Sequence, residues 1–309
     1  MAKSISPRFR FAPVPQLAPQ RVRKTPDSVE SYFDRTGYDP AFIDPTLPVQ
    51  LPVLGAAAKR DVATFTWKGK RTHALDYTHF TTAVSKSRRM PIFSACNIDG
   101  ARLRTVDRKD VWKYDPRIPL EYQVLEEPFG NQRDGYFSRG HMTRRMDPDW
   151  GSAKEAILAD ADTFHATNAA PQVQKFNDGL WGEIEDYVLA NCGRDRMRIS
   201  VFTGPVFSAR DPVIHGVQVP LEFWKIVAFI HDETENLHAT GYVSSQAKDV
   251  AGLKPTYVFG DFQHQQRPIA AIEALTGLRF PDLAPADVVG AAGPMFAVAL
   301  RDVRDIMLI

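Results

Sequence analysis

Three stretches in the first hundred residues, DVATFTWKGK (61–70), THALDYTHFTTAVSK (72–86) and MPIFSACNIDG (90–100), are rich in Thr, Val, Phe and Tyr and are bounded by Gly, Pro and charge. Such runs fit a pleated, half-buried surface and predict three strands of an antiparallel sheet. The apolar period then lengthens. SAKEAILADADTFHATN (152–168) and QVQKFNDGLWGEIEDYVLANC (172–192) predict helices, the second placing Phe176, Leu180, Ile184 and Tyr187 on one face. RMRISVFTGPVF (196–207), VQVPLEFWKIVAFIHD (217–232) and NLHATGYVSSQ (236–246) return to strand character, and PIAAIEALTGLRF (268–280) predicts a helix stopped at Gly277. Strands, then helices, then strands predict an α+β domain with helices laid on a mostly antiparallel sheet. No internal repeat is present.

The start of the chain reads differently. Residues 1–24 carry Lys3, Arg8, Arg10, Arg21, Arg23 and Lys24, no acid, and prolines at 7, 13, 15 and 19, which predicts a flexible basic arm. DSVESYFDRTGYD (27–39) predicts a short helix capped by Asp27, and DPTLPVQLP (44–52) is broken by proline. The expected organisation is an N-terminal extension over 1–49, basic, proline-rich and partly disordered, and one domain over 50–309.

With 309 residues, 44% hydrophobic and 24% charged, the chain is ordinary for a globular protein, which excludes wholesale disorder. A formal net charge of +1 excludes a uniformly basic coat, so any contact with a polyanion must come from a local patch. Two cysteines, Cys96 and Cys192, do not make a disulfide framework. The N-terminus has no apolar stretch of secretory length and no window is long enough for a membrane helix, which predicts a cytoplasmic protein.

The candidate chemistry centres on YFSRGHMTRRMDPDWG (136–151), where His141 follows a glycine. A histidine can take a proton near neutral pH because its unperturbed pKa is about 6.5, and the glycine lets substrate or backbone come close. Taken alone, a histidine after a strand is more often structural. Arg133, Arg139, Arg144 and Arg145 crowd it, with Arg102, Arg104, Arg108, Lys109, Lys113 and Arg117 upstream. These forked donors suit phosphate oxygens, or else pair with Asp107, Asp110, Asp115 and Asp134 as a solvated loop. Asn177 and Glu185, eight residues apart on a helix, would stand about 80° from eclipsed, with Trp181 between them. An amide and a carboxylate oxygen suit Mg²⁺. His73 and His79 share a strand period without a third ligand and predict structural roles; His231 and His238 flank the turn-like DETEN.

Together these segments resemble the DNA/RNA non-specific endonucleases of the ββα-metal (His-Me finger) class. The family's Asp-Arg-Gly-His corresponds to SRGH (138–141), its Thr/Ser-Asn-x-x-Pro-Gln to TNAAPQ (167–172), and its Asn-x-x-x-Trp-x-x-x-Glu to the run from Asn177 to Glu185, in order and spacing. TGPVF, VPLEFWKIV and IEALTGLRF follow in the family's order, so the resemblance covers about residues 50–285. It implies a metal-dependent, sequence-non-specific hydrolysis of phosphodiester bonds in DNA or RNA, with Mg²⁺ as cofactor or Mn²⁺ in its place.

In that family pattern His141 is the general base, Asn177 the direct ligand of one largely hydrated metal, and Glu185 the holder of one of its waters. Asn168 supports metal and base, Arg139 binds phosphate or steadies the loop, and Arg108 is a further phosphate contact. Two positions depart: the usual Asp is Ser138, and the arginine usual four residues after the glutamate is Leu189, for which Arg144 or Arg145 would have to substitute. Loss of that cation raises the alternative of a weakly active or inactive homologue that grips nucleic acid through its arginines. A non-specific nuclease endangers its host, which predicts confinement or control, by an inhibitor or regulatory partner or by delivery elsewhere as an effector. Dimerisation is known in the family.

Overall fold

A computed structural model describes residues 21–251 and 263–307. Its centre is an eight-stranded, fully antiparallel sheet. The strands are β1 (Leu75–Asp76), β2 (Phe80–Val84), β3 (Pro91–Asp99), β6 (Arg198–Val206), β7 (Glu222–Ile230), β8 (Leu237–Ser245), β9 (His264–Arg267) and β10 (Val298–Ala299), in the order β10-β9-β8-β7-β6-β3-β2-β1. A separate two-stranded ribbon pairs β4 (Ser138–His141) with β5 (Ala169–Gln172). Helices α1 (Ala153–Thr163), α2 (Gln174–Asn177), α3 (Leu180–Arg194) and α4 (Ile269–Thr276) complete the frame of the site.

Both faces of the sheet are covered, which is why its strands read as near-continuous apolar runs. On one face Phe93, Phe202, Trp224, Ile226 and Ala228 pack with Ile269 and Ile272 of α4. On the other, Cys96, Ile98, Val201 and Val227 pack with Ile184 and Cys192 of α3. The two thiols are free and buried. Helix α1 begins at a capping box, with Ser152 Oγ accepting from the Glu155 amide and the Glu155 carboxylate accepting from the Ser152 amide. Helix α4 ends at Gly277, whose φ of 70° is the left-handed cap that glycine supplies without a Cβ clash. His79 stacks on Trp150 at 3.5 Å, a structural placement. No helix among the described residues is long and apolar enough to cross a membrane.

The basic arm as far as residue 20 lies outside the described residues. Arg21–Arg23 forms a strand parallel to Val111–Lys113. The expected Asp27 cap is not made: Val29–Tyr32 is a short 3₁₀ turn entered from Ser28 without a side-chain cap. Asp27 instead pairs with Lys113 at 2.9 Å and with Arg23, because two cations reach its carboxylate before a helix amide does. Residues 29–49, read from sequence as part of an extension, are joined to the body. Tyr32, Tyr38 and Val49 are buried, the Tyr38 amide donates to Thr81 Oγ1, and the Asp39 amide donates to Asn97 Oδ1.

Tyr32 stands at a buried polar junction. Its hydroxyl meets His165 Nε2 at 2.6 Å, and the Arg117 guanidinium lies 4.4 Å from its ring while donating to Asp115 Oδ2 at 2.7 Å. Tyr77 donates to the same carboxylate. Burial works to raise Asp115, but the Arg117 charge and hydrogen bonds hold its carboxyl below the usual range. Arg117 and Asp115 are shut off from water, so Asp115→Ala would leave an uncompensated buried guanidinium. We expect a loss of about 3–5 kcal/mol in urea unfolding; a loss under 1 kcal/mol would show that the junction does not hold residues 29–49 to the body.

Candidate active site

The two motifs nearest the histidine, separated by 25 residues in the chain, meet in the ribbon. Its register sets His141 opposite Ala169, Gly140 opposite Ala170, Arg139 opposite Pro171 and Ser138 opposite Gln172. The sequence suggests that Gly140 lets substrate or backbone come close, and what lies against it is a side chain: a Cβ there would stand 1.9 Å from Oε1 and 2.5 Å from Cγ of Gln172, whose fully buried side chain occupies the space. Asn168 is also fully buried. Its Oδ1 accepts from the Thr143 amide at 2.8 Å and its Nδ2 donates to the carbonyls of Thr143 and Thr163 at 2.9 and 3.0 Å. These bonds use both N–H donors and one of the two lone pairs of Oδ1, so Asn168 pins the backbone after His141 to the end of α1, and it does not line the pocket.

The imidazole of His141 packs against Trp112 and Phe164, with ring centroids 4.8 and 5.1 Å away. Its Nε2 is shut off from water and has no hydrogen-bond partner. Burial, then the charges of Arg108, Arg145 and Arg144, push its pKa down to about 3. The ring is neutral at physiological pH.

The single helix expected over 172–192 is two. Helix α2 ends at Asn177, and α3 starts after Gly179, whose extended backbone breaks the ladder where the sequence pattern is blind. Trp181 does not turn toward the pocket with Asn177 and Glu185; it is buried on Phe176 and Phe223. Asn177 and Glu185 nevertheless line the same pocket of about 390 Å³ as Arg108, Ser138, Arg139, His141, Arg144 and Arg145. The Asn177 side chain makes no hydrogen bond among the described residues. Glu185 lies between two cations, Lys225 Nζ at 3.2 Å from Oε1 and Arg144 Nε at 3.7 Å from Oε2.

The long arginine series divides. Arg117 and Lys113 belong to the Tyr32 and Asp27 contacts, Arg102 lies over Trp150 at 5.4 Å, and Arg104 bonds the Gly151 carbonyl. Of those in the pocket, Arg139 donates from Nε and Nη2 to the Leu125 carbonyl and stacks over Phe129 at 4.9 Å, which steadies the loop; burial lowers its pKa to about 10. Arg108 pairs with Asp110, Arg145 with Asp160 and Arg144 with Asp186. Ser138 donates to Gln174 Oε1, joining the ribbon to α2. Nη1 of Arg144, Nε2 of His141 and Oε1 of Glu185 are buried and make no hydrogen bond, Oε1 being held by the Lys225 ammonium alone, and the three residues line one pocket. Leu189 is packed against the apolar cluster under α3. Lys225 and Trp112 carried no sequence signal of a site: each sits in a run that reads only as strand or loop.

The sequence model described as DNA/RNA non-specific endonuclease matches residues 60–287. The chain is similar to the uncharacterized protein y4fB of Sinorhizobium fredii, 37% identical over 98% of this chain and 48% of that one. It is 26% identical to a nuclease of Nostoc sp. over 60% of this chain and 65% of that one, and 29% identical to bovine mitochondrial endonuclease G over 48% and 49%. It thus spans about half the length of several curated relatives that it matches. A solved complex of endonuclease G with its inhibitor EndoGI superposes with a TM-score of 0.52 at 20% identity, covering 68% of this chain and 86% of that one, which shows the ββα-metal fold.

The packing of Gly140 makes a prediction. Gly140→Ala should cost about 1–3 kcal/mol by overpacking against Gln172, read by urea unfolding. Pairing it with Gln172→Ala should return most of that loss; a double variant whose costs simply add would show that the crowding lies elsewhere.

Proposed function

Because the chain belongs to the DNA/RNA non-specific endonuclease family, we propose that it is a metal-dependent endonuclease hydrolysing phosphodiester bonds of DNA and RNA, with His141 as general base. The observation that carries this reading is the convergence of His141, Asn177, Glu185 and Arg144 on one pocket, with Nε2 of His141 and Nη1 of Arg144 left without a hydrogen-bond partner. Buried polar groups are ordinarily paired, and unpaired ones gather where a ligand completes them.

Asn177 and Glu185 fit a hard divalent cation: both line the pocket and both have an oxygen without a hydrogen bond among the described residues. They would hold Mg²⁺, or Mn²⁺, with Asn177 as the direct amide ligand and Glu185 through one of the metal's waters. A cation held that way needs no cluster of three His, Cys, Asp or Glu, and none is found among the described residues. When bound, the metal would stabilise negative charge on the leaving 3′ oxygen. The chain's own groups do the rest. His141, whose Nε2 is shut off from water, takes a proton from water through Nδ1 as the oxygen attacks phosphorus and the P–O3′ bond breaks. The guanidinium of Arg144, a residue of the same pocket, donates to a phosphate oxygen in place of the cation missing at Leu189, with Arg108 as a second cation. Asn168 and Arg139 act through the loop backbone. The bonds of Arg108, Arg144 and Arg145 to carboxylates favour a second reading, a binder that grips the phosphate chain without turnover; salt-sensitive binding to DNA without cutting distinguishes it. The likeness to endonuclease G held by an inhibitor supports control of this chain by a protein partner in the cell.

Purified protein should nick supercoiled plasmid and degrade RNA with Mg²⁺ or Mn²⁺ and stop in EDTA. His141→Ala should lower the rate by about 10²–10⁴-fold with little change in melting. If plasmid and RNA both stay intact with either metal, the enzyme reading is wrong.

The depressed pKa adds a pH signature. A base must be neutral, and His141 is held neutral far below the value of about 6.5 of a free imidazole. The acid limb of kcat/KM, which reports the free enzyme, should lie below pH 5. For stability the sign is the reverse of a paired histidine: the unfolded chain binds the proton more readily, so this site loses stability as pH falls below about 6.5. An acid limb at or above pH 6.5 would contradict the dry environment of the ring.

A further inference from the structure

We infer that Lys225 is a positioning residue for this reaction, a buried ammonium that fixes the Glu185 carboxylate and keeps it from ligating the metal directly. The inference rests on the metal-dependent reading above. Strand β7 alternates, with Trp224, Ile226 and Ala228 in the cluster under α4 and Val227 in the cluster under α3. Lys225 therefore points to the α3 face, from the middle of the sheet, with a side chain only 1% exposed. Its neighbours account for the ammonium. Nζ donates to Thr203 Oγ1 at 2.8 Å, lies 3.2 Å from Glu185 Oε1, and stands 4.8 Å from the ring centre of Trp181. Thr203 is its cross-strand partner in register on β6, so the amine is held by the rigid sheet and not by a loop.

Lys225 does not line the pocket, whereas Glu185 does. Whatever it does for the reaction passes through Glu185. The remaining cation on that carboxylate, Arg144, is 3.7 Å away and is bonded to Asp186 as well. Without Lys225, nothing in the sheet would restrain Oε1, and a released carboxylate would displace a water and enter the metal's inner shell. The outcome is specific: tighter metal binding with slower turnover. A lysine needed only for folding would, when lost, weaken both.

The test compares Lys225→Met in the native background and beside Glu185→Gln, with Mn²⁺ titrated calorimetrically and cleavage of a defined DNA duplex measured in parallel. We expect Lys225→Met to slow cleavage by about 10–100-fold, to bind Mn²⁺ more tightly, and to cost no more than about threefold once Glu185 is already Gln. Equal slowing in both backgrounds, or weaker Mn²⁺ binding, overturns the inference. Should Lys225→Met not fold, Thr203→Val, which removes only the hydroxyl that holds Nζ, should show the same pairing of tighter Mn²⁺ and slower cutting, absent beside Glu185→Gln; no change in either overturns it. A native protein that cuts nothing defeats the nuclease reading instead, and the Mn²⁺ titration tells the two failures apart.

Discussion

A lysine in the middle of a covered sheet has to be given a counter-charge, and here that requirement joins the scaffold to the chemistry. Removing an ammonium from water costs several kcal/mol unless an anion and hydrogen bonds replace the solvent. Lys225 finds its anion in Glu185, one turn beyond Trp181 on α3, and its hydrogen bond in Thr203. The helix is already pressed to this face by Ile184 and Cys192 against Cys96, Ile98 and Val201. Apolar burial sets the distance between helix and sheet, and the ion pair sets the rotation of the helix, so the carboxylate arrives at the pocket from one direction only.

The ribbon meets a different demand. It has to hold an imidazole neutral with Nε2 buried and unsatisfied, and an unpaired buried polar atom costs about 1–3 kcal/mol. A second such atom, Nη1 of Arg144, belongs to the same pocket, a liability that only a structure firm elsewhere can carry. The firmness is visible close by: Asn168 makes three hydrogen bonds to backbone, and the Tyr32–Arg117–Asp115–Tyr77 junction locks the segment ahead of the domain. Rigidity around the pocket keeps the unsatisfied groups from collapsing onto one another.

Much of this could be read from the residues. Strands are plain where Thr, Val and Phe run between breakers, the Gly277 stop is local chemistry, and His141, Asn177 and Glu185, singled out by the family resemblance, line one pocket. What escaped the reading depends on neighbours distant in sequence. Asp178 and Gly179 divide α2 from α3 inside an amphipathic pattern that continues across them, and periodicity does not register a two-residue break. Gly140 is explained by Gln172, which lies across a strand pair. Asp27 resembles a helix cap until Lys113 and Arg23 are placed around it. Lys225 looks like a polar residue on a strand, and only the covering helix turns it into a buried charge.

Leu189 shows how a departure in one element is absorbed by another. It lies one turn past Glu185 and packs against the apolar cluster beneath α3, so an arginine there would have to give up that contact to reach the pocket. The cation nearest Glu185 from the pocket side comes from the loop after the base: Arg144, three residues from His141, spans to Glu185 and Asp186. Since Asn168 clamps Thr143 from both its amide and its carbonyl, the backbone carrying His141 and Arg144 is one pinned segment. The imidazole of His141 and the guanidinium of Arg144 are then carried by one pinned stretch of backbone, and α3 is left with the tasks of presenting one carboxylate and covering the sheet.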